Sequence, residues 1–323
     1  MNNINRKVYV SRKIPQAAME ALGKICDYDV NPEDRPATRE ELINAVKNYD
    51  AVISMLNDSI DADILSHVGP NLKLIANYGV GFNNINVNLA NQKKVYVSNT
   101  PDVLTDATAD LAFALMFGAA RRVIEGDRIV RNESFSWAPT YMLGYDITGK
   151  TLGIIGAGRI GANFGRKAIM GFNMKVIYYG RHNSEKLDEL GARLVTLDEL
   201  LSESDYISLH VPLTPETKHL IGADEFRKMK RTAIIINTAR GPVIDEKALA
   251  EALKNHVIAA AGLDVYEREP EVEESLKALS NVVLLPHVGS ATVGTRTNMG
   301  LMIVRNIQAV FEGSEPPNMV RVK

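Results

Sequence analysis

Short runs of β-branched and apolar residues alternate with amphipathic segments along almost the whole chain. Because such alternation is typical of parallel sheets covered by helices on both faces, the sequence predicts an α/β fold. The predicted strands are residues 7–10, 51–55, 73–77, 95–98, 151–155, 175–179, 206–211, 232–237, 259–265 and 282–285. The amphipathic helical patterns lie between them, for example at residues 39–47, 159–170, 197–202 and 246–255.

Two longer helical patterns interrupt this alternation, at residues 106–131 and 292–311. Thr105 and Asp106 are expected to cap the first of them. A chain of 323 residues is long enough for two domains, and long helices beside a block of βα units are good connectors between domains. We therefore expect a central domain at residues 101–290, inserted into a second domain made of residues 1–100 and 291–323.

The composition excludes several classes of protein. The chain has 37 Lys and Arg residues against 39 Asp and Glu residues, so no overall field attracts nucleic acid or an anionic membrane. The apolar stretch 111–120 is shorter than the roughly 20 residues that a membrane span needs. Cys26 is the only cysteine, which excludes an internal disulfide and a cysteine metal cluster. With no apolar signal segment at the N-terminus, we expect a cytoplasmic protein without nucleic-acid, membrane or metal partners.

A glycine-rich motif, Gly-Ala-Gly-Arg-Ile-Gly at residues 156–161, directly follows the predicted strand 151–155 and opens an amphipathic helix. This context is typical of dinucleotide binding, although a plain glycine-rich turn is the alternative. Gly156 permits the tight turn, Gly158 lets backbone N–H groups approach a pyrophosphate, and Gly161 lets the helix pack closely on the strand. The positive end of the helix then faces the phosphates.

The residues after the next predicted strand, 175–179, indicate which dinucleotide binds. Sites that prefer NAD place Asp or Glu here to accept hydrogen bonds from the ribose 2′-hydroxyl. This chain has Gly180 and Arg181 instead. A small residue followed by arginine leaves room for a 2′-phosphate and supplies a charged partner for it. The sequence therefore favours NADP over NAD, unless Arg181 is simply a solvated loop residue.

Arg240, Asp264 and His287 each lie at or just past the carboxyl end of a predicted apolar strand. Open α/β sheets bind their ligands at this edge. Each residue has an ordinary structural interpretation when taken alone, as a cap, a turn residue or a core histidine. Their joint placement at one edge predicts a reaction site.

These segments resemble the D-isomer-specific 2-hydroxyacid dehydrogenase family, and most of all its glyoxylate/hydroxypyruvate reductases. The resemblance covers essentially the whole chain, including residues 77–81, 103–110 and 149–153 and the spacing of Arg240, Asp264 and Glu269. It implies two Rossmann-like, doubly wound parallel-sheet domains, of which residues 101–290 bind the dinucleotide. The other domain, flavodoxin-like, is the substrate-binding domain.

The resemblance also implies an NAD(P)H-dependent reduction of a small 2-oxoacid to the D-2-hydroxyacid, with NADP expected and NAD the alternative. Arg240 would bind the substrate carboxylate and keto oxygen, and the backbone N–H groups of Val80 and Gly81 would hold the carboxylate. His287 would be the general acid, and Glu269 would accept a hydrogen bond from its imidazole and stabilise the charged form.

The cofactor contacts implied by the resemblance lie on the glycine motif and on several later segments. Asp264 would lie by the nicotinamide carboxamide, with Thr105 near the same ring. The full set is Thr105, Gly156, Gly158, Arg159, Ile160, Gly161, Arg181, Val211, Pro212, Thr217, Thr238, Ala239 and Asp264.

Two features depart from the family pattern. Asn83 and Asn86 stand where relatives usually have aspartates, a change that we do not expect to abolish activity. The chain ends at Lys323 without room for the regulatory domain of many phosphoglycerate dehydrogenases. Other hypotheses are a phosphoglycerate, formate or phosphite dehydrogenase of the same fold, and a dinucleotide-sensing corepressor-like protein. The resemblance further implies a homodimer, for which the predicted helix 106–131 offers an apolar face of Leu111, Leu115 and Ile124.

Overall fold

Two sheets organise the chain, and every strand in them pairs in parallel with its neighbours. The computed structural model describes residues 6–132 and 134–321. Its contacts divide the chain into a first unit, Met1–Leu104 with Ser290–Lys323, and a second unit, Thr105–Gly289. No helix of the described residues combines the length and the apolarity that crossing a membrane requires.

The strands of the first unit are β1 Lys7–Val10, β2 Asp27–Val30, β3 Ala51–Ser54, β4 Leu74–Asn77 and β5 Tyr96–Ser98. Those of the second unit are β6 Thr151–Ile155, β7 Lys175–Tyr179, β8 Arg193–Leu194, β9 Tyr206–Leu209, β10 Ile234–Asn237, β11 Ala260–Leu263 and β12 Val282–Leu284.

The helices of the first unit are α1 Gln16–Leu22, α2 Arg39–Asn48, α3 Ala62–Ser66, α4 Val87–Gln92 and, at the end of the chain, α13 Val293–Phe311. Those of the second unit are α5 Thr105–Ala120, α6 Val123–Asn132, α7 Arg159–Phe172, α8 Glu185–Asp188, α9 Leu197–Glu203, α10 Ala223–Lys228, α11 Glu246–Lys254 and α12 Glu274–Lys277, with a 3₁₀ turn at Gly241–Val243.

The sheet of the first unit has the strand order β2-β1-β3-β4-β5, which is the flavodoxin-like order. Successive residues of β4 point to opposite faces of the sheet. Leu74 packs in the apolar cluster formed with α1 and α13, and Ile75 packs in the cluster formed with α2, α3 and α4. Both side chains are fully buried. The unit is therefore a doubly wound sheet with a core on each face.

The sheet of the second unit has the strand order β12-β11-β10-β9-β6-β7-β8. Its order reverses between β6 and β9, where doubly wound sheets bind nucleotides outside the carboxyl ends of the strands. Ile234 and Ile236 pack with α5 and α7 on one face, and Ile235 packs with α9 and α11 on the other. The predicted fold class, two doubly wound parallel sheets, is confirmed.

The single long helix predicted at residues 106–131 is wrong, because the structure has two helices there. Arg122 lies between α5 and α6 in a left-handed conformation, φ 52°. The segment around Tyr145 returns to the carboxyl end of α5, where the N–H of Tyr145 donates to the carbonyl of Ala120 at 2.9 Å. The Arg122 guanidinium also pairs with Glu125 at 2.7 Å and donates to the carbonyl of Leu143. Contacts from distant residues thus end the helix.

The apolar face predicted on this helix is wrong at Leu115, whereas Ile124 is exposed as predicted. Leu115 is fully buried in the core of the second unit and packs against Gly262 of β11. It therefore contributes nothing to the surface. The exposed apolar side chains lie on α6 instead, where Val123, Ile124 and Val130 are each more than half exposed.

Candidate active site

Three neighbouring strands of the second unit, β10, β11 and β12, end at the residues that the sequence singled out. Arg240 follows β10, Asp264 follows β11, and His287 follows β12. Because the strands are parallel and paired side by side, their carboxyl ends lie at one edge of the sheet. Glu269 lies on the loop that leaves β11. The second unit thus brings Arg240, Asp264, Glu269 and His287 to one edge.

His287 and Glu269 form a hydrogen bond, with 2.7 Å between Nδ1 and Oε2. The other carboxylate oxygen of Glu269 accepts from the backbone N–H of Tyr266 at 3.1 Å. Because an ionised carboxylate only accepts, the imidazole carries a proton on Nδ1, and this bond leaves Nε2 unused. Burial acts to raise the pKa of Glu269, but the hydrogen bond and charge of His287 outweigh it, with help from Arg240, and the pKa lies below its usual value. Glu269 is therefore a negatively charged partner for the imidazole.

The backbone at His287 is in the left-handed region, φ 54°, and the next two residues are held by Asp264. The Asp264 carboxylate accepts from the N–H of Val288 at 2.7 Å and from the N–H of Gly289 at 2.8 Å. Asp264 is 1% exposed, and this burial raises its pKa, although the two N–H groups and the charge of His287 oppose the change. Asp264 is predicted to lie by the nicotinamide carboxamide. In the structure both of its carboxylate oxygens bind backbone N–H groups of the His287 loop.

The loop of Arg240 is fixed by Asn237 at the end of β10. The Asn237 side chain donates to the carbonyl of Arg240 at 3.0 Å and accepts from the N–H of Ala239 at 3.0 Å. One guanidinium nitrogen of Arg240 donates to the carbonyl of Ala239 at 2.7 Å. Burial lowers the pKa of Arg240, and the negative charge of Glu269 opposes this. Glu269 therefore interacts electrostatically with both the arginine and the histidine.

Gly241 joins the Arg240 loop to the Glu269 loop. A Cβ atom at this position would lie 1.8 Å from the backbone carbon of Tyr266 and 2.4 Å from the backbone nitrogen of Glu267. Any other residue would force these two backbones apart. The hydroxyl of Tyr266 also donates to the carbonyl of Leu285 at 2.8 Å, just before His287. The three loops are therefore packed directly against one another.

The glycine turn between β6 and α7 is as tight as the motif predicts. Gly156 has φ 97°, and a Cβ there would lie 2.8 Å from Val211 and 2.9 Å from the backbone of His210. A Cβ on Gly161 would lie 2.2 Å from the carbonyl oxygen of Gly156. At Gly158, which precedes α7 and offers no side-chain cap, no described atom beyond the adjoining residues lies within 4 Å of the Cβ position. Open space before uncapped helix N–H groups fits the pyrophosphate of a dinucleotide.

The other predicted cofactor contacts lie in the second unit too. The hydroxyl of Thr238 is buried and has no hydrogen-bond partner among the described residues, so a ligand atom could satisfy it. The Thr217 hydroxyl accepts from the N–H of Thr214 at 2.8 Å and donates to the carbonyl of Pro212 at 2.6 Å, which shapes the loop after Val211. The remaining predicted cofactor residues lie at the start of a helix or just after the end of a strand. They are Thr105, Arg159, Ile160 and Ala239.

Arg181 is exposed on the loop after β7, where the sequence predicts it to meet a 2′-phosphate. Its positive charge is among the causes that lower the pKa of Glu216, after hydrogen bonds to that carboxylate. An acidic side chain therefore lies within electrostatic range of Arg181. The sequence did not indicate this neighbour.

Val80 and Gly81 belong to the first unit, in the loop after β4. Their carbonyl oxygens accept hydrogen bonds from two asparagine side chains, Asn99 and Asn77. Sequence reasoning missed both asparagines, because a single amide side chain near a strand end carries no signal of its own. Within residues 6–132 and 134–321, no cluster of three or more His, Cys, Asp or Glu side chains is arranged to hold a metal ion.

Comparison with known proteins gives consistent matches. The sequence model of one family, described as the D-isomer specific 2-hydroxyacid dehydrogenase, NAD binding domain, matches residues 113–289. A glyoxylate reductase from Korarchaeum cryptofilum is 48% identical over 318 residues, covering 97% of this chain and 95% of the relative. The crystal structure of a glyoxylate reductase from Paecilomyes thermophila superimposes with a TM-score of 0.87 at 35% identity, covering 98% of both chains. A third match is the crystal structure of an NADPH-dependent glyoxylate/hydroxypyruvate reductase from Sinorhizobium meliloti in complex with NADP and malonate. Its TM-score is 0.84 at 31% identity, and the match covers 98% of this chain and 97% of the reductase chain.

Proposed function

The chain belongs to the D-isomer-specific 2-hydroxyacid dehydrogenase family, and we propose that it reduces a small 2-oxoacid, such as glyoxylate or hydroxypyruvate, to the D-2-hydroxyacid. The observation that carries this proposal is the 2.7 Å hydrogen bond between His287 and Glu269, on the sheet edge that also holds Arg240. A proton donor, its charged partner and a cation are groups that assist the transfer of a hydride to a carbonyl. The 48% identity to a glyoxylate reductase supports this class of substrate.

In this proposal His287 gives its Nε2 proton to the keto oxygen of the substrate, while Nδ1 stays bonded to Glu269. The ionised Glu269 stabilises the imidazolium before transfer and fixes the direction of the ring. Arg240 binds the substrate carboxylate and keto oxygen, and its charge offsets the negative charge that develops on that oxygen. Close packing of Gly241 against the Tyr266 backbone supports this assignment, because it positions the backbone next to the Arg240 cation before the reaction begins.

The second unit, Thr105–Gly289, is the dinucleotide-binding domain in this proposal, and the first unit is the substrate-binding domain. When bound, the nicotinamide supplies the hydride. Gly156, Gly158 and Gly161 shape the turn for the pyrophosphate, and the first N–H groups of α7 donate to it. NADP is the preferred cofactor, because Gly180 leaves room for a 2′-phosphate and Arg181 offers it a charge.

We further propose that the protein is a homodimer whose second copy covers α6 and the segment after it. No residue of α6 is buried in the single chain, although Val123, Ile124 and Val130 are apolar. Trp137, on the following segment, is 81% exposed. An exposed apolar patch of this kind is typical of an interface. Sedimentation velocity should show a dimer that Ile124→Glu with Val130→Glu converts to a monomer. A monomeric wild-type protein would contradict the proposal.

The deciding experiment measures the oxidation of NADPH and of NADH with glyoxylate, hydroxypyruvate and pyruvate as substrates. It also determines the chirality of the hydroxyacid formed from hydroxypyruvate. We expect turnover of at least one 2-oxoacid and formation of the D-isomer. His287→Ala serves as the control, because it removes only the proton donor and keeps the cofactor site. Binding of NADPH without turnover of any oxoacid would reject the proposal and favour a dinucleotide-sensing protein.

A further inference from the structure

The loop of residues 78–81, in the first unit, has each of its last three carbonyl oxygens held by a separate donor. The carbonyl of Gly79 accepts from the backbone N–H of Thr100 at 3.0 Å. The carbonyl of Val80 accepts from the side-chain amide of Asn99 at 2.8 Å, and the carbonyl of Gly81 accepts from that of Asn77 at 2.7 Å. Three consecutive carbonyl groups are thus fixed in direction.

Fixing these carbonyl groups also fixes the N–H groups that follow them. In a planar trans peptide the C=O of one residue and the N–H of the next point in opposite directions. The bond from Thr100 therefore directs the N–H of Val80 away from β5, and the bond from Asn99 does the same for the N–H of Gly81. Neither N–H donates to an acceptor within the described residues. Paired, outward-directed N–H groups form an anion-binding concavity.

We propose that Asn99 and Asn77 are positioning residues for the substrate carboxylate, acting through the N–H groups of Val80 and Gly81. The proposal rests on the proposed function, because it assigns the anion to the carboxylate of a 2-oxoacid. Asn99 sets the direction of the Gly81 N–H group. Asn77 anchors the end of the loop through the carbonyl of Gly81.

The orientation of the Asn77 amide is itself determined by its neighbours. Its Oδ1 accepts from the Asn84 side chain at 3.2 Å, so its Nδ2 faces the carbonyl of Gly81. Asn84 in turn donates to the carbonyls of Met55 and Asp58, at 3.0 and 3.1 Å. These contacts tie the loop after β4 to the loop after β3. Asn84 therefore supports the anion-binding loop and does not contact the anion.

Asn99 is held from the other side by the end of the chain. Its backbone N–H donates to the carbonyl of Asn318 at 3.2 Å. The N–H of Asn318 donates to Oδ1 of Asn306 at 2.9 Å, and Asn306 is fully buried on α13. Asn99 itself is only partly buried. A substitution there should remove the amide while the surrounding fold remains intact.

Tight packing keeps the loop from relaxing when one donor is removed. A Cβ on Gly79 would lie 2.4 Å from a methyl carbon of Leu56. The loop therefore cannot shift toward Leu56 to replace the lost bond. Loss of Asn99 should change the direction of one peptide and leave the position of the loop unchanged.

The test compares Asn99→Ala and Asn99→Asp with the wild-type enzyme. We expect Asn99→Ala to raise the KM for glyoxylate by about tenfold, the effect of losing one well-directed hydrogen bond from the Gly81 N–H group to the carboxylate. Asn99→Asp should raise it further, because a carboxylate cannot donate and also repels the substrate. The dissociation constant of NADPH and the unfolding temperature should stay at the wild-type values. Asn91→Asp is the matched control, since Asn91 is exposed on α4 of the same unit and the charge change is identical.

A second substrate separates positioning from a general structural role. Glycolaldehyde has the carbonyl group of glyoxylate but no carboxylate, so its kcat/KM should not change in either Asn99 variant. An equal loss for both substrates, or an unchanged KM for glyoxylate, would overturn the inference while the proposed function stands. If the wild-type protein reduces no 2-oxoacid, the proposed function fails and this inference fails with it.

Discussion

Asp264 fixes the backbone that follows His287. Its two carboxylate oxygens bind the N–H groups of the next two residues, at 2.7 and 2.8 Å, and the histidine itself has a positive φ. The imidazole is thus directed by one acidic residue through the backbone and by a second one, Glu269, through its ring. In the proposed enzyme these two carboxylates have different tasks, since only Glu269 bonds to the group that donates the proton.

Replacing Glu269 with glutamine should change the pH dependence of the reaction. The proposed reduction needs the imidazolium form of His287, which the ionised Glu269 would stabilise. The hydrogen bond and charge of His287 keep the pKa of Glu269 below its usual value despite its burial, so the carboxylate remains charged into the acidic range. Glu269→Gln keeps the size and one of the two acceptor oxygens but deletes the charge. The alkaline limb of kcat/KM should therefore move to lower pH, with activity at mildly acidic pH largely kept.

His287→Ala provides the reference for this profile. It should lose at least about a hundredfold in kcat at every pH, which is the usual contribution of a positioned proton donor. Both variants are measured at saturating NADPH across the same pH range. An alkaline limb that stays in place in Glu269→Gln would show that Glu269 does not act on the titrating group.

Arg240→Ala should raise the KM for the oxoacid and lower kcat together. The guanidinium is proposed to bind the ground-state carboxylate and to offset the charge of the transition state, so both parameters respond. Binding of NADPH, followed by its fluorescence, should survive. Arg240→Lys keeps the charge without the planar fork and should recover only part of the activity. Turnover of glyoxylate at the wild-type rate in Arg240→Ala would limit the residue to a structural role.

Cofactor choice should depend on Arg181. We expect the kcat/KM for NADPH to exceed that for NADH by at least about tenfold, which corresponds to about 1.4 kcal/mol. Arg181→Ala should remove most of this preference and leave the kinetics with NADH nearly unchanged. Glu216→Gln removes the carboxylate near Arg181 and should increase the preference, because the arginine then loses an electrostatic competitor of the phosphate. Equal use of both cofactors by the wild type would reject the NADP assignment.

His210 should make folding stability sensitive to acid. Its Nε2 lies 2.9 Å from the Ser208 hydroxyl, its ring lies 5.5 Å from that of Phe164, and burial lowers its pKa to about 3. The histidine of the unfolded chain binds a proton near pH 6.5, whereas the buried imidazole does so only near pH 3. The contribution of His210 to the free energy of unfolding is therefore fully present above pH 6.5, and that free energy falls by about 1.4 kcal/mol per pH unit as the pH drops toward 3.

The measurement is urea denaturation at several pH values, followed by circular dichroism. His210→Gln should reduce the loss of unfolding free energy between pH 6.5 and 4. His182→Gln is the matched control, because His182 is exposed in the same unit and its replacement should leave the slope unchanged. Equal slopes for His210→Gln and the wild type would refute the assignment.

Buried elements could be predicted from the sequence because they carry a strong apolar signal. The isoleucines of β10 and the strand before the glycine motif are examples. β6 has the predicted bounds, and β10 begins at Ile234, later than the predicted residue 232. Two edge strands were missed. β2 reads Asp-Tyr-Asp-Val and β8 is the pair Arg193–Leu194. An edge strand is paired on one side only and is partly exposed, so its residues need not be apolar.

Features set by distant contacts were beyond sequence reasoning. No glycine or proline lies at the break itself, next to Arg122, and the segment that returns there, Gly144 and Tyr145, is distant in sequence. The same holds for the candidate site. The strand ends predicted that Arg240, Asp264 and His287 share one edge, but nothing local indicates that Asp264 binds the backbone beyond His287. The amide of Asn99 is likewise meaningful only beside Val80.

Trp137 gives the protein a built-in optical reporter. It is the only tryptophan of the chain and is 81% exposed. Excitation at wavelengths that tyrosine does not absorb therefore produces emission from a single water-exposed indole. Dilution of the protein, or addition of an oxoacid that does not absorb this light, shifts the emission wavelength when the surroundings of this one segment change. Coverage of the segment can thus be followed in solution without any label.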